Sequence, residues 1–309
     1  MLVLLGPQRF RPTLRTAVRS LGIEGPIAVV TAGWQERESE DSELRDHLKR
    51  EVIDLGLYHR AERVTEQDRE LYDALRERQR QLQQLQELYR LRLSYALEAA
   101  RVLMRRRGGG RMLTEQRRAA IRAVRTLDRW HLRRIRRLHE EFEARWQPTT
   151  RPAVERERHE LAETLARTGA LCIAGGHVAV LLGRLRLFDV VGLLREQPVI
   201  AWSAGAMAVT DRIVLFHDSP PQGAGDPEVL DSGLGLCRKL IALPHARDRL
   251  DLEDPVRVSL FARRFAPASC VVLEQGARID WDGQRWVPGR GAQQLERRGA
   301  VRPMRTEAC

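Results

Sequence analysis

Short apolar runs rich in β-branched residues, separated by segments of helical period, constrain the fold of this chain more than any other feature. They begin with Leu2 to Leu5, then a helical pattern over Thr13 to Leu21, the run Ile27 to Thr31 and a helix from about Ser42 to Leu55. A third strand is predicted near Tyr58 to Val64. The pattern resumes with a helix over Val154 to Arg167, the strand Ala170 to Ala174, a helix over Val178 to Leu194 and the strand Pro198 to Trp202. Apolar strands joined by helices indicate a parallel sheet with helices on its faces. Cys270 to Leu273 and Arg278 to Val287, with Asp282-Gly283 between, read as terminal strands with a hairpin turn.

Between these halves the period changes. Leu71, Leu75, Leu82, Leu85, Tyr89, Ala96, Ala99 and Leu103 follow steps of three and four, a heptad-like stripe interrupted by Arg78 and Arg92. After Gly108-Gly109-Gly110 a second helical pattern starts at the N-cap candidate Thr114 and runs through Ala120, Val124, Leu127, Ile135, Leu138 and Phe142 to Trp146, before Pro148. The expected organisation is therefore a discontinuous α/β catalytic domain, residues 1–64 and 151–309, interrupted by a basic helical hairpin over 65–150. The hairpin reads as a projecting arm that overhangs the active site, as a dimerisation arm or as a spacer.

The hairpin also carries the charge. The chain has 309 residues and a net charge of +11, with Lys49 and Lys239 its only lysines. Residues 65–160 hold 24 Arg against 15 Asp and Glu, a net of +9, which leaves +2 elsewhere. Arg101 to Arg137 contains 14 Arg against Glu115 and Asp128, with Trp130 the one interleaved aromatic, so a polyanion surface has charge but little base-stacking support. No apolar run reaches about 18 residues and Met1 to Gly6 is too short for a signal peptide, which gives the expectation of a cytoplasmic, non-membrane protein. Cys172, Cys237, Cys270 and Cys309 lack metal-ligand spacing and read as reduced core residues.

The residues with a chemical reading lie near the ends of the apolar runs. Val199-Ile200-Ala201-Trp202-Ser203-Ala204-Gly205-Ala206 is an apolar strand that delivers a serine into a turn of small residues. A hydroxyl placed so can stand exposed as a nucleophile, with the Ala204 amide facing developing negative charge. Ile173-Ala174-Gly175-Gly176-His177 ends the preceding strand, where paired glycines bring backbone amides close, Gly176 as a second oxyanion donor. Leu240-Ile241-Ala242-Leu243-Pro244-His245 puts a histidine at a strand end, suited to be general base. Asp218 and Glu274 are the acidic candidates to orient it.

These residues resemble the dipeptidase E (aspartyl dipeptidase) and cyanophycinase family of serine peptidases, which has the class I glutamine amidotransferase-like fold. The resemblance runs through Ala170 to Gly176, Trp-Ser-Ala-Gly-Ala, the segment to Asp218, Gly233-Leu234-Gly235-Leu236 leading to Pro244-His245, and Leu273-Glu274-Gln275-Gly276. It implies a flavodoxin-like three-layer α/β/α sandwich. It also implies Ser203 as nucleophile, His245 as base and Glu274 as third triad member, with Asp218 at another functional acidic position. The family usually has Asn where this chain has His177, and it lacks the long insertion.

The resulting expectation is a serine hydrolase that cleaves a small peptide or amide through an acyl-enzyme on Ser203, with Gly175, His177 and Trp202 at the substrate. No metal or organic cofactor is needed by that mechanism. The rival is an inactive scaffold of the same fold that holds an acidic partner or nucleic acid on the basic hairpin. Pairing with a second copy through the hairpin is the remaining partner expectation.

Overall fold

The structure is a computed structural model that describes residues 1–217 and 225–308. Strand β1 (Leu2–Leu5), helix α1 (Leu14–Ser20), strand β2 (Ile27–Val30) and the start of α2 (Ser42–Leu48) lie where the apolar runs place them. The helix expected to reach Leu55 stops early, because Lys49 turns the chain in the left-handed region (φ 51°) and it re-enters the sheet as β3 (Val52–Asp54). Tyr58 to Val64, expected as a strand, belongs to helix α3 (Leu57–Gln67). Its buried residues Leu57, Ala61 and Val64 repeat at helical spacing. A residue from another element starts it: the buried Glu38 carboxylate accepts the amides of Tyr58 at 2.9 Å and His59 at 3.1 Å.

The long helices α4 (Arg69–Arg105) and α5 (Arg111–Trp146) follow. Gly110, not Thr114, is the residue before α5, so that helix starts a turn earlier than its capping pattern suggests. Then come α6 (Pro152–Ala166), β4 (Ala170–Ile173), α7 (Val178–Leu187) and α8 (Val190–Leu193), the last two split at Asp189 where one helix was expected. Strand β5 (Val199–Trp202) runs into α9 (Ala204–Ala208). β6 (Ile213–His217) and β7 (Gly225–Asp231) form an antiparallel pair. β8 (Leu240–Pro244), α10 (Ala246–Arg249), α11 (Pro255–Phe265) and β9 (Ser269–Leu273) follow. The chain closes with β10 (Arg278–Trp281), β11 (Arg285–Pro288), β12 (Gln293–Leu295), β13 (Val301–Pro303) and β14 (Glu307–Ala308).

Among the described residues the main sheet runs β14-β11-β10-β1-β5-β4-β2-β3. Its centre, from β1 to β3, is parallel, and β10, β11 and β14 extend it antiparallel. Successive side chains serve opposite faces. Leu2, Leu4, Val30, Ile173 and Ala201 join one hydrophobic cluster with α3, α6 and α7, while Val3, Leu5, Val29, Cys172 and Trp202 join another with α1. The fold is thus mixed α/β around a parallel-rich sheet. A second sheet, β13-β12-β9-β8, sits beside it, with β8 and β9 parallel. Gly6, just past β1, extends the β1–β10 ladder by donating its amide to Ala277 O at 2.9 Å, and it lies against the end of β9, where a Cβ on Gly6 would overlap the Glu274 carbonyl. Cys172, Cys237 and Cys270 are buried.

Helices α4 and α5 do not project. They share the larger cluster with the sheet and pack on each other, on β7 and on α11. Their buried stripe on α4 is Leu71, Ala74, Gln86, Tyr89, Leu93, Leu97 and Ala100, so beyond Tyr89 it is displaced from the expected Ala96 and Ala99. A buried polar network fastens it. Tyr89 donates to Asp128 Oδ1 at 2.7 Å, and Arg264 of α11 grips Asp128 at 2.7 and 2.8 Å while donating to the Tyr89 oxygen at 3.0 Å. His131 stacks on Tyr89, donates to Gln86 Oε1 at 2.9 Å, and is pushed by burial down to about 4, hence neutral. No helix of the described residues is long and apolar enough to cross a membrane.

Candidate functional site

Ser203 is the junction between β5 and α9, and its backbone is strained. At φ 50° and ψ −123° it holds a conformation that an L-residue seldom adopts, at a cost of order 1–3 kcal/mol. The residue is partly exposed, while Ala204 to Ala208 behind it are buried. The small residues of the elbow have a packing cause: a Cβ on Gly205 would lie 2.3 Å from Ile173 O, so only glycine lets α9 seat on the end of β4.

The paired glycines meet this elbow. A Cβ on Gly175 would stand 2.7 Å from Ser203 Cβ and 3.5 Å from its Oγ, so the missing side chain is what leaves room for the hydroxyl. Gly176 has φ +115°, and a Cβ there would lie 2.3 Å from Gly33 O. His177 donates its amide to that same Gly33 oxygen at 2.7 Å. Three loops, after β2, β4 and β5, therefore converge at the carboxyl edge of the parallel strands. This is where the chain's connections diverge from β2 and β4 to opposite sides, the place where open α/β sheets bind ligands.

His245 and Glu274 are brought together by register. Pro244 pairs with Leu273 in the parallel β8–β9 ladder, so the next residue on each strand lies side by side. His245 also has a left-handed backbone, φ 56° and ψ 36°, which turns the chain out of β8 into α10. Its imidazole is half-buried, and its Nδ1 lies 3.9 Å from Asp248 Oδ2. Burial first, and then the Arg249 charge, holds the ring's pKa below its ordinary 6.5, against the opposing pull of Glu274 and Asp248. Glu274 Oε1 accepts the Arg247 amide at 2.9 Å, which fixes that carboxylate at the strand end. Both side chains line an open cleft of about 730 Å³ that reaches Gln293 and Met304.

The expected residues thus form two groups. Ser203 with Gly175, Gly176 and Ala204 is one; His245 with Glu274 is the other. Among the described residues no hydrogen bond joins Ser203 to His245, and Ser203 does not line the cleft that the other pair shares. Asp218 lies outside the described residues. His177 caps α7, its Nδ1 accepting the Val180 amide at 3.3 Å, and Trp202 is buried in the cluster beneath the elbow.

Some neighbours of these groups escape the sequence reading. Gly33 supplies the carbonyl on which the Gly175–His177 loop rests; its signal is a small-residue pair, Ala32-Gly33, directly after an apolar run. Arg249 carries no sequence signal, since it becomes relevant only through the turn at His245.

No protein-family model and no curated protein sequence matches this chain. Among solved structures it is similar to a peptidase from an acI-B1 Actinobacterium, with 11% identity and a TM-score of 0.48 over 99% of this chain and 93% of that one. It is also similar to a putative peptidase E protein from Listeria monocytogenes EGD-e, with 9% identity and a TM-score of 0.40 over 98% of each chain.

Proposed function

We propose that the chain is a serine hydrolase of peptide or amide bonds that works through an acyl-enzyme on Ser203. The observation that carries this reading is the strained, partly exposed Ser203 at the carboxyl edge of the sheet, with Gly175 opened to make room for its hydroxyl. Strain of that size persists only where the surroundings enforce it, and a nucleophile elbow is one use for it.

In the proposed reaction Ser203 Oγ attacks the scissile carbonyl carbon while His245 takes the hydroxyl proton. The amides of Ala204 and Gly176 receive the oxyanion. Collapse breaks the C–N bond, the protonated His245 passes its proton to the leaving amine, and water then hydrolyses the ester by the same base. Glu274, held by the Arg247 amide, stabilises the imidazolium. The reading requires His245 to close on Ser203 when substrate is bound, and catalytic hydrogen bonds commonly tighten only then. The strand order β3-β2-β4-β5, with β1 beyond, fits a flavodoxin-like doubly wound sheet, and a domain of 1–64 and 151–309 around the hairpin is the organisation proposed with it.

A different observation favours the second reading, a scaffold that holds an acidic partner. Arg118, Arg122, Arg125, Arg129, Arg133 and Arg136 fall on one face of α5, and among the described residues none of them has a carboxylate partner. A fluorophosphonate probe decides between the two. The enzyme reading expects covalent labelling of the wild type and none of Ser203→Ala, with any turnover found falling by about 10³-fold or more. A wild type that stays unlabelled would leave the scaffold.

A further inference from the structure

The arginines that stand unpaired on α5 are spaced by the helix itself. Arg118, Arg122, Arg125, Arg129, Arg133 and Arg136 fall one to a turn, within a sector of about 80°, along about 27 Å of the axis. Other arginines of the same helix have carboxylates placed to meet them. Arg111 pairs with Glu115 at 2.9 Å and Arg137 with Glu141 at 2.7 Å, each four residues on. In the row the residue four on is often another arginine, as from Arg118 to Arg122, Arg125 to Arg129 and Arg129 to Arg133. Like charges at that spacing weaken a helix, so the row works against the stability of α5.

Neighbouring elements deepen the row into two hollows, one after the other along α5. Arg118, Arg122 and Arg125 line the first, of about 200 Å³, together with Arg263 of α11 and Arg297. The next turns line the second, of about 510 Å³, together with Arg212. Asp211 is the one carboxylate among the described residues that border either space. Hydrogen bonds hold guanidinium groups in place without cancelling their charge: Arg125 donates to Ala266 O at 2.6 Å, Arg129 to Thr126 Oγ1 at 3.2 Å and Arg136 to Asp211 O at 3.3 Å.

We infer that this row binds the phosphate backbone of a single-stranded nucleic acid without regard to sequence. Guanidinium groups match phosphate oxygens bidentately, and a surface this positive has the composition of a nucleic-acid interface, whereas contacts between proteins deplete charge at their core. Among the described residues no aromatic side chain lines either hollow, so bases have nothing to stack on and the contact is to phosphates. The straightness of the row selects the single strand. A duplex turns once in about 34–36 Å, so each of its backbones would wind away from a straight row well before about 27 Å. The inference rests on the unpaired row of the second reading, and it holds whether or not Ser203 is active.

Fluorescence anisotropy tests this, with a labelled mixed-sequence DNA strand of about 20 nucleotides titrated with the full chain across a salt series. Circular dichroism is the folding control. The wild type should bind with a Kd of order micromolar at about 50 mM salt, and log K should fall against log salt with a slope of about −4, about 0.7 for each of six phosphates. Arg122→Gln with Arg129→Gln and Arg133→Gln should weaken binding about 30-fold or more and bring the slope to about −2. Arg69→Gln with Arg76→Gln and Arg80→Gln removes the same charge from exposed positions on α4 and should stay within about three-fold of the wild type. A wild type that does not bind, a row variant as tight as the wild type, an α4 variant as weak as the row variant, or tighter binding of the corresponding duplex would each overturn the assignment. Polyglutamate that binds where the DNA strand does not would overturn it while sparing the acidic-partner reading, and binding of neither would remove both.

Discussion

His245 is the residue whose environment makes the sharpest claim. If His245 is the general base of the proposed reaction it works only when neutral, so turnover should fall as pH drops through its pKa, and burial with the Arg249 charge places that acid limb below 6.5. The signs of its neighbours are opposite. Arg249→Ala removes a charge that depresses the pKa, so the limb should move to higher pH with little loss of maximal rate. Glu274→Gln removes a charge that raises it, so the limb should move lower while the maximal rate falls. The measurement is the pH profile of kcat/KM on an amide substrate. An acid limb indifferent to Arg249 would mean that another group titrates.

At the scale of elements, the junction of α4, α5 and α11 depends on one buried ion pair. Arg264 and Asp128 are nearly inaccessible, with side-chain exposures of 1% and 4%, and the Tyr89 oxygen accepts from Arg264 and from the Val229 amide. Removing one partner strands the other charge in the core. Arg264→Ala is expected to cost about 3–5 kcal/mol in urea denaturation. Tyr89→Phe should cost less, about 1–3 kcal/mol, because it leaves donors unsatisfied but no charge unpaired. Replacing both charges together, by Asp128→Leu with Arg264→Met, should recover much of the loss, since the desolvation cost disappears with them. A small effect of Arg264→Ala would mean that water reaches Asp128 and the junction is loose.

For the whole molecule the consequence is that the hairpin cannot be cut away. Joining Val64 to Pro152 through a short Gly/Ser linker would uncover the faces of β7 and α11 on which α4 and α5 pack, and would leave Arg264 without its carboxylate. The shortened chain is expected to be insoluble or to lack a cooperative unfolding transition. Circular dichroism and size-exclusion chromatography check this. A soluble, cooperatively folding product would make the hairpin an appendage after all.

The sequence by itself determined the elements that depend on local period. Parallel strands alternating with helices, the turn of small residues at Ser203, the Asp282-Gly283 hairpin between β10 and β11, and two long helices around three glycines follow from spacing and turn chemistry. Tertiary structure decided whatever turns on a partner distant in sequence. Tyr58 to Val64 is helical partly because Glu38 caps it from another element, and β8 and β9 join β12 and β13 in a second sheet rather than extending the main one. Helix α4 shows the reason most directly. Its sequence offers two apolar stripes of similar strength, period alone ranks them equally, and only docking on α5, β7 and α11 decides that Leu93 and Leu97 go inward while Leu91 and Tyr95 stay in solvent.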